Sequence, residues 1–270
     1  MLTLSALFIY PVKSLLGIAL SESPVQPRGL QYDRRWMLID ADGRFVSQRE
    51  IPAMVDLQTA IEAPSLVVFS RKNPALRVSV PLEPAVDEMP VLEVQIWDDR
   101  CPACVCAPAV NQWFSAQLGA DLRLVYMPDT SQRQVDERFA AEGQYVSFAD
   151  GFPFLLLGEA SLEDLNRRLA HPLPMNRFRP NFVVQGSAPF AEDGWSDIRI
   201  GTVLFRAAKP CARCTIITTD QDTGARSPEP LKTLSGYRRD GQKVLFGQNL
   251  LWTGKETEPV LRLHDKIELL

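Results

Sequence analysis

Histidine, long apolar runs and surplus charge are all scarce in this chain, and each scarcity closes a class of function. There are two histidines in 270 residues. His171 falls in a Pro-rich loop and His264 in a turn of the last hairpin, and neither has a local partner that would make a catalytic triad or a metal pair. Lysine and arginine total 29 against 33 acidic residues, a net charge of -4. No global positive field gathers nucleic acid or an anionic membrane, so any anionic ligand must be held locally. No apolar run approaches the roughly 18–20 residues that cross a bilayer. The apolar N-terminus has no basic n-region and alternates as a strand does, so it does not read as a signal peptide. Five cysteines, an odd number, argue against a disulfide framework and for reduced thiols in a cytoplasmic protein. Neither G-x-G-x-x-G nor a Walker A loop is present, which removes the commonest nucleotide-binding modes. Repeats, low-complexity tracts and Gly/Ser linkers are missing too.

What remains is an ordinary globular composition, 46% hydrophobic and 23% charged, able to bury a substantial core. The 21 prolines exceed the usual share of about 5% and point to many short elements. Strands are expected over 36–39 and 44–47, turning through Asp42-Gly43, and over 66–69, 76–80, 91–97, 122–127, 182–184, 198–207, 214–219 and 261–269. The clearest helix runs from Pro108 to Gly119, since proline suits a first helical position and glycine an end. A second is expected from Ser161, with Asp164 completing a weak capping box, and a short third over Leu231, Leu234 and Tyr237. The fold class is therefore mostly β with a few helices (α+β), in two halves, 1–120 and 121–270, packed against each other.

Three groups of residues could carry chemistry. Cys211-Ala212-Arg213-Cys214 lies at a strand junction, where an arginine beside a thiol favours the reactive thiolate; a buried cysteine pair fits the same residues. Cys101, Cys104 and Cys106 make a four-thiolate zinc site shared with Cys211 and Cys214 a second possibility, although some hundred residues separate the pairs. Lys13-Ser14, Arg34-Arg35 and Arg179-Pro180-Asn181 place cations and an amide next to turn-formers, which suits phosphate or a heteroatom-rich ring as well as surface ion pairs.

Taken together, Tyr10-Pro11-Val12-Lys13-Ser14, Arg28-Gly29-Leu30, Tyr32-Asp33-Arg34-Arg35-Trp36, Asn176-Arg177-Phe178-Arg179-Pro180-Asn181, Cys211-Ala212-Arg213-Cys214, Glu229-Pro230-Leu231-Lys232-Thr233-Leu234 and Phe246-Gly247-Gln248-Asn249 resemble one family over nearly the whole chain. It is the MOSC-domain molybdenum proteins, in the branch with an N-terminal MOSC β-barrel domain that includes bacterial YcbX and the mitochondrial amidoxime-reducing component. The resemblance implies a MOSC β-barrel domain after that N-terminal one and a molybdenum cofactor (Mo-molybdopterin) between them. It implies Cys214 as the protein's sulfur ligand to the metal, with Lys13, Ser14, Arg34, Arg179, Asn181, Ala212 and Arg213 as cofactor contacts. Asn249 stands where some relatives have tyrosine. Asp150 matches an acidic residue near the metal, and a role for it as proton donor requires a raised pKa. Beside it, Gly151 and Phe152 replace hydroxyl residues and leave only backbone contacts.

The implied reaction is reduction of N-hydroxylated compounds such as amidoximes, hydroxylamines and N-hydroxylated bases. The iron-sulfur domain with C-x4-C-x2-C spacing that YcbX-type relatives often carry is not in this sequence. The expected electron source is then a separate protein, a ferredoxin, flavodoxin or flavin reductase; no nucleic-acid or membrane partner is expected. Two other readings stand beside the reductase. One is a non-catalytic carrier or sulfur-handling protein for the same cofactor, lacking the pyridoxal-phosphate domain of the sulfurases; the other is the structural zinc protein.

Overall fold

A computed structural model describes all residues, 1–270. Its largest sheet has nine strands. In spatial order the main path runs Ile267–Leu269, Asp197–Ile200, Val203–Ala212, Lys243–Trp252, Phe154–Gly158, Phe182–Gln185, Thr3–Ile9 and Ile18–Leu20, with Arg239–Asp240 pairing on Lys243–Trp252. Phe154–Gly158 and Phe182–Gln185 are parallel, and the helix Glu159–Arg168 makes the crossover that parallel neighbours need. The sheet curls until Thr3 bridges Lys266, a closure that removes exposed edges. Inside it Leu4, Phe154, Phe182, Phe205 and Leu250 are buried, with the three phenylalanine rings in mutual contact.

The other half is built on a four-stranded sheet, Trp36–Ile39, Arg123–Tyr126, Asp99–Val105 and Val91–Ile96, and a three-stranded one, Leu57–Glu62, Ser65–Ser70 and Arg77–Pro81. The helix Pro108–Leu118 buries Val110 and Phe114 against Trp36, Leu66, Val68 and Leu124. Gly119 ends it in the left-handed conformation, φ 65°. Strand pairing interleaves the halves. Thr3–Ile9 lies in the large sheet, while Arg123–Tyr126 completes the four-stranded one. No helix is long and apolar enough to cross a membrane.

The mostly β architecture and all three helices follow the sequence reading, and several local details differ. Residues 198–207 are not one strand, because the chain turns at Gly201 (φ 58°) and pairs Asp197–Ile200 with the next strand. The last hairpin divides in the same way at His264 (φ 71°). Residues 44–47 meet Trp36–Ile39 only through an isolated bridge, Ile39 to Phe45. Thr215–Thr218 is a 3₁₀ turn rather than a strand, because after Ala212 the backbone leaves the sheet. Ser161 does not cap its helix, which starts at Glu159; its hydroxyl donates to the buried Glu192 carboxylate and accepts from Phe190 N–H.

Candidate active site

Where the large sheet's strand ends meet the loops of the N-terminal half, a cleft of about 830 Å³, counted out to its open mouth, is lined by 18 residues. Lys13, Ser14, Arg34, Asp150, Arg179, Asn181, Ala212, Arg213, Cys214 and Asn249 all lie on its wall. The fold delivers them from separate elements. Thr3–Ile9 ends at the cleft and hands on to Tyr10–Ser14, which is knitted to 33–36 by backbone bonds from Arg34 N to Tyr10 O, Trp36 N to Pro11 O and Lys13 N to Trp36 O. Ser14 (φ 67°), Arg34 (φ 49°) and Arg179 (φ 56°) are all in the left-handed region that non-glycine residues rarely enter. Strain of this kind persists where surrounding structure fixes a functional geometry.

The charge balance of the lining is lopsided. Lys13, Arg34, Arg49, Arg179 and Arg213 are cationic and Asp150 alone is anionic. Arg34 is neutralised by buried Asp33 at 2.5 Å, and Lys13 pairs with Asp150 at 2.6 Å. Arg179 has no side-chain acceptor in the protein, and its guanidinium stacks 4.3 Å from the Tyr10 ring centroid, as Arg34 does at 4.2 Å. Desolvation lowers Arg179 to about 10, so it stays charged at neutral pH. Burial pushes the Tyr10 hydroxyl up to about 12, keeping it neutral between the two arginines. A cleft with spare guanidinium donors and two thiols fits an anionic, heteroatom-rich cofactor that accepts a soft ligand.

Two residues behave otherwise than the sequence alone implies. Asn181 reaches the cleft wall, yet its amide is committed to the protein: Nδ2 donates to Phe8 O and to Asp33 Oδ2, while Oδ1 accepts from Leu155 N. It ties the first strand to Asp33 and so positions Arg34. Asp150 does not meet the condition for a proton donor near neutral pH. Burial would raise its pKa, but its side chain is 66% exposed toward the cleft, and Lys13 Nζ and the Trp97 indole N–H hold the carboxyl below its ordinary range. Lys13 is itself shifted downward, chiefly by desolvation, with Asp150 opposing.

The arginine neighbours of the thiols also differ. Arg213 donates to Cys211 Sγ at 3.2 Å and to Phe178 O at 2.7 Å, whereas the guanidinium beside Cys214 is that of Arg49, at 3.7 Å. Arg49 comes from a loop 165 residues away and stands in no recognisable motif. Arg133 is hidden in the sequence for the same reason. It is buried and donates to Ser147 O, Ala149 O and Asp150 O while pairing with Asp99, which fixes the loop that presents Asp150.

The shared zinc site is excluded by placement. Cys101, Cys104 and Cys106 are buried in the N-terminal half, with Cys101 and Cys106 in different apolar clusters. Three residues apart on one strand, Cys101 and Cys104 point to opposite faces. Burial pushes the Cys101 thiol up to about 11 and that of Cys106 to about 12. No three His, Cys, Asp or Glu side chains converge to hold a metal.

Comparison with known proteins identifies the family. A family model for the MOSC N-terminal beta barrel domain matches residues 1–121, and one for the MOSC domain matches residues 143–268. Mitochondrial amidoxime-reducing component 1 of Mus musculus is 34% identical over 286 residues, covering 99% of this chain and 82% of that protein. Mitochondrial amidoxime reducing component 2 of Bos taurus is 32% identical, covering 87% and 72%. The molybdenum cofactor sulfurase of Oryza sativa subsp. japonica is 34% identical over 90% of this chain, which spans 32% of that longer protein. With both models matched in order and such relatives aligned over most of this chain, the chain belongs to the MOSC family, in the branch with an N-terminal MOSC β-barrel domain, and is a molybdenum-cofactor-related protein.

Proposed function

We propose that this chain is a molybdenum-cofactor-dependent reductase of N-hydroxylated compounds, the cofactor lying between the halves 1–120 and 121–270 and the electrons coming from a separate donor protein. The observation that carries the reading is the cleft itself: unpaired guanidiniums and two thiols converge in one space, from elements far apart in sequence. Lys13, Ser14, Arg34, Arg179, Arg213 and Asn249 would hold the cofactor's anionic and heteroatom groups, with Ala212 supplying backbone and Cys214 the sulfur ligand. When bound, the molybdenum centre supplies two-electron redox chemistry at the substrate oxygen.

The balanced reaction for an amidoxime is R–C(NH2)=NOH + 2 e⁻ + 2 H⁺ → R–C(NH2)=NH + H2O. This chain's own residues bind and orient. Asp150, ionised, accepts from Lys13 Nζ and keeps that ammonium aimed beside the Phe148 carbonyl. Asp33 and Asn181 lock Arg34 in place. Ionised Asp150 is no source for the two protons, so they reach the open cleft from solvent.

A carrier or sulfur-handling role is the second reading, and the sulfurase relatives favour it. Turnover separates the two. Molybdenum-loaded protein supplied with a reduced viologen dye should convert an aromatic amidoxime to the amidine, Cys214→Ser should abolish conversion, and Cys104→Ser should leave it largely intact. Loaded wild-type protein that shows no conversion sinks the reductase and leaves the carrier.

A further inference from the structure

We infer that Arg49 is the substrate-binding residue of the cleft: its guanidinium donates to the oxygen of the substrate's N–OH group beside Cys214, and a rim of Trp97 and Phe45 holds it there. The inference rests on the reductase reading and adds to it the group that recognises the substrate.

Arg49 has no carboxylate partner; its one side-chain hydrogen bond goes from Nη1 to Cys214 Sγ, which leaves its other N–H donors without a protein acceptor on the cleft wall. The guanidinium stacks 4.5 Å from the Trp97 ring centroid and 5.6 Å from that of Phe45, and those two rings lie 4.9 Å apart. Such a platform fixes the plane of the cation without consuming its hydrogen bonds.

The support continues outward. Trp97 Nε1 donates to Asp150 Oδ1 at 3.3 Å, so the rim is tied to the Lys13–Asp150 pair. Gln48 and Gln221 exchange reciprocal amide hydrogen bonds, and Arg226 Nη2 donates to the carbonyls of Gln48 and Arg49. Loops of both halves thus clamp the residue that bears the guanidinium.

Trp97 itself is unusual. It begins the two-residue turn between Ile96 and Asp99, with φ 55°, where Asn, Asp or Gly are the ordinary choices. A large aromatic side chain in that conformation, 42% exposed and in contact with Asp150 and Arg49 of the cleft wall, is strain kept where it is used. The chemistry calls for a donor of this type. As an N–O bond breaks, negative charge gathers on the departing oxygen, and a fixed cation with spare N–H groups stabilises it.

Three variants test this: Arg49→Gln, Arg49→Lys and Trp97→Gly, each assayed for molybdenum content, for KM and kcat with an aromatic amidoxime and a reduced viologen dye, and for calorimetric Kd without reductant. Arg49→Gln should keep its molybdenum while KM and Kd rise about ten-fold or more, the scale of a lost hydrogen bond to a charged group. Arg49→Lys, which keeps charge without the fork, should fall between the two. Trp97→Gly suits the positive φ of the turn while removing the platform, and should raise KM about three-fold or more. Wild-type KM and Kd in Arg49→Gln overturns the inference alone. Loss of molybdenum from Arg49→Gln also overturns it, making Arg49 a cofactor contact instead. A wild-type protein that binds no amidoxime overturns this inference and the reductase together.

Discussion

Removing the Asp33 carboxylate should cost this protein a large share of its stability, although Asp33 does not line the cleft. The side chain is fully buried and accepts from Tyr10 N at 2.8 Å, Arg34 Nη1 at 2.5 Å and Asn181 Nδ2 at 3.1 Å. In Asp33→Ala, the Tyr10 N–H loses its only partner, at about 1–3 kcal/mol for a buried unsatisfied donor. Arg34, 11% exposed, is left as a cation without a counter-charge. Breaking a buried pair costs about 3–5 kcal/mol, and the water that reaches Arg34 through the cleft places it at or below the lower end. Asn181 keeps its bond to Phe8 O and adds little. The total, about 4–5 kcal/mol, is about a quarter or more of the roughly 5–15 kcal/mol that holds a typical domain folded. Urea unfolding followed by circular dichroism measures it, and Asp33→Asn, which keeps an acceptor for Tyr10 N–H, should recover part of the loss. A change below about 1 kcal/mol for Asp33→Ala would refute the idea that one carboxylate ties the first strand, Arg34 and the Asn181 loop together.

Two further predictions concern protonation and thiol access. Because the folded-state pKa of Asp150 is depressed, the Lys13–Asp150 contribution is complete above the unfolded carboxyl value of about 4 and is lost only as pH falls through the folded value. The difference in unfolding midpoint between wild type and Asp150→Asn should therefore stay constant from pH 8 to 5, and a difference that titrates near pH 6–7 would contradict the ion pair. A chromogenic disulfide reagent added to native cofactor-free protein should label Cys211 and Cys214 quickly and reach Cys101, Cys104 and Cys106 only after unfolding; a third fast thiol would contradict the burial of that group.

Legibility in the sequence follows how local the determinants are. The helix Pro108–Leu118 is readable because proline, glycine and the spacing of Val110 and Phe114 all act within one element. Tyr10–Ser14, Arg34 and the Cys211–Cys214 segment are readable as motifs, short runs whose backbone enters the cleft directly. The strand expected over 214–219 fails because β-branched Thr and Ile satisfy strand propensity while the chain there leaves the sheet, a tertiary override of local preference. Arg49 and Arg133 are illegible for a different reason. Each acts through partners brought by other loops, and nothing around either residue distinguishes it from a solvated surface arginine. The proton-donor role of Asp150 turns on a lysine 137 residues away. Sequence alone can pose that question but not answer it.

The measurement that bears most directly on the account is elemental analysis for molybdenum and zinc on wild-type protein expressed in a host able to make the cofactor. Molybdenum approaching one atom per chain, with zinc at background, is the result the cleft predicts. Zinc in place of molybdenum, lost when Cys101 and Cys214 are both replaced by serine, would contradict both the cofactor reading and the separation of the two cysteine groups.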